Sequence, residues 1–284
     1  MKHLNTYITE YIVKKKLDKP IDSEHNYKYF PKTKEELVAN IKKLLSKGET
    51  DLNSIDTSNI TDMSNLFKEL NMPINIDISD WDVSNVKNME SMFYNYDIFN
   101  CDLSKWNVSK VKNMHSMFLN CKNFDCDLSN WDVSNVENMS NMFAKCKISK
   151  GLENWDVSNV TNMAYMFANC PKFKGKVLEN WNVSKVKDMQ YMFYNCKEFD
   201  CNLSKWNVHN VEDMSCMFCN CIKFEGKGIE NWDVSNVENM CSTFLDCINL
   251  NCNLNKWNVS NITKMRNIFD GCTSLINTPN WYKK

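Results

Sequence analysis

The chain has 284 residues, 43% hydrophobic and 24% charged, which supplies a core and excludes wholesale disorder. Its 34 Lys and Arg against 35 Asp and Glu leave a net charge of −1, which argues against a dedicated nucleic-acid binder. No window is long and apolar enough for a membrane span, so membrane insertion is not expected.

The opening residues, MKHLNTYITE, lack the apolar run of a secretory signal, and the first cysteine is Cys101, too late for an N-terminal lipid anchor. A cytoplasmic location is expected, with a cell or virion surface as the alternative. Residues 1–50 read as a helical cap. Leu4–Leu17 is an amphipathic stretch, and Thr33-Lys34-Glu35-Glu36 is a capping box leading into Leu37, Ile41, Leu44 and Leu45. Gly48 is placed to end that second helix.

From residue 51 to 284 one pattern recurs. Tryptophans fall at 81, 106, 131, 155, 181, 206, 232, 257 and 281, with gaps of 25, 25, 24, 26, 25, 26, 25 and 24. Each unit reads L-x-x-W-[DN]-V-S-[NK]-V-x-[ND]-M-x-x-M-F-x-x-C-x-x-F. Leu128, Trp131 and Val133 fit a short extended segment. Val136, Met139, Met142, Phe143 and Cys146 step as the stripe of a short helix, with Asn138 as its N-cap candidate. The expected fold class is therefore α/β, a leucine-rich-repeat-like solenoid of about nine 25-residue strand–helix units behind an N-terminal helical cap. No polar cap follows Trp281, which leaves the C-terminal edge open to self-association.

The units WDVSNVENMSNMFAKC (131–146) and WDVSNVTNMAYMFANC (155–170) resemble the repeats of the BspA-like leucine-rich-repeat proteins. That resemblance implies a non-enzymatic superhelix that binds or adheres to other proteins.

Two sets of residues could carry function. The position between Trp and Val holds Asp82, Asn107, Asp132, Asp156, Asn182, Asn207, Asp233 and Asn258, an outward strip expected on the inner curve and flanked by Lys105, Lys205 and Lys256. It reads either as a binding strip or as turn-forming residues. Of the 14 cysteines, seven follow the presumed helix at a fixed place and read as core packing. Cys216, Cys219, Cys221 and Cys241 lie closer together and are the candidates for a metal or redox site. No catalytic constellation and no cofactor is implied. The leading expectation is a non-enzymatic protein–protein interaction scaffold, with another protein as partner and no nucleic acid. The alternatives are a BspA-type surface adhesin exported by an unrecognised route, or a cysteine-rich metal- or redox-responsive structural protein.

Overall fold

The computed structural model describes residues 26–68, 75–97, 99, 101–148 and 150–283, so the Leu4–Leu17 stretch lies outside the described residues. Helix α1 spans Lys34–Leu45. Thr33 caps it by accepting the Glu36 N–H at 3.3 Å, and Glu36 reaches back to the Lys32 N–H at 2.7 Å. It ends where Glu49 N–H donates to Leu44 C=O and Gly48 N–H to Leu45 C=O, with Gly48 at φ 78°. That paired closure needs a left-handed residue, which glycine adopts without a Cβ clash. The buried face, Leu37, Ile41 and Leu44, joins one continuous core with Leu52 and Ile55 of the first repeat.

The strand-and-helix unit expected above, and with it the α/β leucine-rich-repeat-like solenoid, is corrected by the structure. Among the described residues no repeat contains an α-helix, and pairing between repeats occurs only as isolated single-residue parallel bridges, never as a strand. Each unit is instead a circuit of β-turns. In the unit of Trp131, the N–H of Trp131 donates to Leu128 C=O at 3.0 Å, Val136 to Val133 at 2.9 Å, Met142 to Met139 at 3.2 Å and Cys146 to Phe143 at 3.0 Å. The first and last side chains of each of these turns are buried. A three-residue step thus marks the two ends of a corner, although it is also the step of a helical stripe.

Backbone sign excludes the helix. Asn141 has φ 59° and Lys145 φ 61°, and the same two positions are left-handed at Ser116 and Asn120, Tyr165 and Asn169, and Tyr191 and Asn195. A right-handed helix cannot run through such residues. Asn138 consequently caps nothing: its Oδ1 accepts the Ser140 N–H at 2.9 Å, and its backbone forms the bridge to Asn113.

The left-handed residues turn their amides along the stacking direction. The N–H groups of Met139, Asn141, Phe143 and Lys145 donate to the carbonyls of Asn162, Ala164, Met166 and Ala168 in the next unit, at 3.0, 2.8, 2.9 and 2.8 Å. Eight parallel bridges from Asp62 to Lys264 hold successive units in register beside these bonds. Side chains lock the same register. Trp131 Nε1 donates to Leu103 C=O of the preceding unit at 3.0 Å, and each of the other eight indoles does the same to its own predecessor. The indole therefore buries its ring while its one polar atom is satisfied.

Candidate functional site

The Asp/Asn strip forms one column along the stack; Asp82 is half-buried and the other seven are exposed. In every member Oδ1 accepts the backbone N–H two residues on, as in Ser134 N–H to Asp132 at 3.0 Å and Ser235 N–H to Asp233 at 3.1 Å. These are Asx turns, and they commit one oxygen of each side chain to the backbone. Lys105, Lys205 and Lys256 do not reach the strip; they bond Asp80, Asn180 and Asn231 of the preceding unit at 3.0, 2.6 and 3.0 Å. His209 does reach it, with Nδ1 2.8 Å from Asp233 Oδ2.

All fourteen cysteines are free thiols. The seven regular ones serve the stack as hydrogen-bond donors. Cys121, Cys146, Cys170, Cys196, Cys221, Cys247 and Cys272 each direct Sγ to the Phe carbonyl of the unit before, at 2.8 to 3.2 Å. Burial pushes the Cys121 and Cys170 thiols up to about 12, and Cys196, Cys221 and Cys247 well above the ordinary value. They stay protonated. Of the four closely spaced candidates, Cys221 therefore belongs to the core, Cys219 is buried, and Cys216 and Cys241 are half-buried. Among the described residues no group of three or more His, Cys, Asp or Glu side chains converges to hold a metal ion. Nor is any helix there long and apolar enough to cross a membrane.

The feature that sequence reasoning missed is a cleft of about 400 Å³ bounded by Lys122, Lys145, Lys147, Pro171 and Lys172, with Ile148 and Phe173 in its floor. It arises from a defect in the repeat. Neighbouring units place Phe99, Phe124, Phe173, Phe199 and Phe224 three residues beyond the Tyr96 or Cys position. The Trp131–Trp155 unit is one residue short and places Ile148 there instead, two residues beyond Cys146. The aromatic column is interrupted and a hollow opens beside it. Lys122 is paired to Asp97 at 3.0 Å, whereas Lys145, Lys147 and Lys172 form no salt bridge among the described residues. With Asp125 as the one acid in the lining, the rim is cationic. The short Trp spacing was the signal for this cleft, but a spacing alone reads equally as a tolerated loop change.

Stacked, register-locked units with fourteen thiols define a cysteine-rich repeat protein. The chain belongs to the family described as Mycoplasma protein of unknown function, DUF285, whose pattern matches residues 35–151, 144–228 and 202–283. Neither a curated protein nor a solved structure matches it.

Proposed function

We propose that the chain is a non-enzymatic protein–protein interaction scaffold that seats an acidic segment of a partner protein, carrying an apolar side chain, in the cleft at Ile148. The observation that supports this reading is the pairing of an apolar floor with three lysines that form no salt bridge among the described residues. Several lysines elsewhere are instead tied to the neighbouring unit, as in Lys112–Glu137 at 2.8 Å and Lys187–Glu212 at 3.1 Å. The resemblance to BspA-like repeats supports the same reading, since binding is what it implies.

Magnitudes say which contact matters. An exposed lysine–carboxylate pair is worth about 0.2–1 kcal/mol, and a buried apolar side chain about 1.5–3 kcal/mol. The apolar tip thus supplies affinity and the lysines supply selection for acid. Binding of synthetic acidic and basic peptides with one central Leu or Phe, measured by calorimetry at low and high salt, tests this. The acidic set should bind, weaken with salt, and lose about tenfold (roughly 1.4 kcal/mol) in a Lys145→Glu/Lys172→Glu double variant. Equal binding of both sets, or an unchanged double variant, would remove the cleft from consideration.

A further inference from the structure

One cluster of side chains departs from every column of the repeat. The first left-handed position of four successive units holds Tyr165, Tyr191, Cys216 and Ser242, all at positive φ. Three residues further on stand Ala168, Tyr194, Cys219 and Leu245. The Tyr165 and Tyr191 rings stack at 4.6 Å with planes 4° apart, and Tyr194 meets Tyr191 edge-on at 5.5 Å. One unit further along the same column stands Cys216, half-buried, with the buried Cys219 three residues on.

Backbone geometry brings the two thiols together. Cys219 N–H donates to Cys216 C=O at 3.1 Å and closes a four-residue turn. Such a turn brings its first and fourth Cα atoms within about 7 Å, and a disulfide spans about 4.4–6.8 Å between Cα atoms. Tyr191 and Ser242 stand at the matching position of the units on either side of Cys216. The cysteines of the regular column instead give their single proton to a carbonyl.

We propose that Cys216 and Cys219 form a peroxide-oxidisable dithiol, Cys216 acting as nucleophile and Cys219 as resolving thiol. The Cys216 thiolate attacks one oxygen of a hydroperoxide; an S–O bond forms, the O–O bond breaks, and the alkoxide leaves and takes a proton as alcohol. Cys219 sulfur then attacks the resulting sulfenic sulfur. An S–S bond forms, the S–O bond breaks, and hydroxide departs with the Cys219 proton as water. Two thiols lose two electrons and two protons, and the hydroperoxide is reduced to an alcohol and water. The neighbouring Cys219 side chain, then those of Tyr191 and Ser242, also lower the Cys216 thiol to about 6, which favours the thiolate at neutral pH. This inference is independent of the lysine-rimmed cleft.

Two alternatives are separable. Cys221 gives its proton to Phe193 C=O at 3.0 Å inside the core, and Cys241 lies across the stack, its carbonyl accepting the Cys216 N–H at 2.9 Å. Variants fold by precedent within the chain: Ala144 and Ala168 occupy the Cys219 position, and Ser91, Ser116 and Ser242 the Cys216 position. The test treats the full chain with equimolar hydrogen peroxide, alkylates the remaining thiols and maps the products by mass spectrometry. A Cys216–Cys219 disulfide is expected. Cys219→Ala should instead accumulate a sulfenic acid at Cys216 that dimedone traps, and Cys216→Ser should show neither product. The alkylation rate of Cys216 should rise with pH through a midpoint near 6, and that midpoint should move up in Cys219→Ala. A Cys216–Cys241 link, oxidation spread over the buried column, or a Cys216 profile like that of an ordinary thiol would overturn the proposal.

Discussion

Side-chain oxygens close the corners of this molecule. In the Trp131 unit Asp127, Asp132 and Asn138 each accept the N–H two residues on, from Ser129, Ser134 and Ser140. Asp and Asn do this equally well in shape, but only Asp does it with a charge that can be titrated. Hydrogen bonds from the serine two residues on hold Asp77, Asp102, Asp127, Asp156 and Asp233 below the usual carboxylate range. A pKa lowered on folding stabilises the fold above the unfolded value, near 3.9, and the contribution is lost as pH falls through the folded value. Thermal stability is therefore expected to drop below about pH 4. A variant with Asn at 102, 127 and 156 should match the parent at neutral pH and show a shallower acid limb. Melting curves between neutral and strongly acid pH check this, and parallel acid limbs would show that the Asx carboxylates do not carry the effect.

At the scale of the element, the β-turn replaces the helix, and the two give opposite answers to one substitution. Asn141 sits at φ 59°. There a β-branched residue meets its own backbone, so Asn141→Val should destabilise by about 1–2 kcal/mol while Asn141→Gly costs little. In a helix the order reverses in kind, because glycine loses about 0.5–1 kcal/mol and valine is tolerated. Urea midpoints of the two variants decide between them. The ambiguity was built into the sequence pattern. Val136, Met139, Met142, Phe143 and Cys146 mark turn ends whose spacing a helical stripe shares, and neither Asn nor Lys at 141 and 145 announces a left-handed backbone as glycine would. Helix α1 had no such ambiguity, since Thr33, Glu36 and Gly48 specify its ends chemically and all three act as expected.

Across the whole molecule, what the sequence shows plainly is its period, because the indoles that mark it are the residues that clamp unit to unit. The cysteine column was legible as buried, but its role as a row of donors to Phe carbonyls was not, since burial alone does not say where a thiol proton points. The cleft at Ile148 and the Cys216–Cys219 pair both lie where a unit breaks the pattern. The cleft depends on what stands one unit away, at Pro171, Lys172 and Phe173, and a single unit read alone does not contain it.

Alternate amides from Met139 to Lys145 bond carbonyls of the next unit, while those between them close turns within their own unit. Scalar couplings across hydrogen bonds, measured by NMR on the deuterated, isotope-labelled chain, report donor and acceptor directly. The amides of Met139, Asn141, Phe143 and Lys145 should couple to the carbonyls of Asn162, Ala164, Met166 and Ala168. Couplings from those same amides to the carbonyl four residues earlier would restore the helix and contradict the stacked-turn architecture.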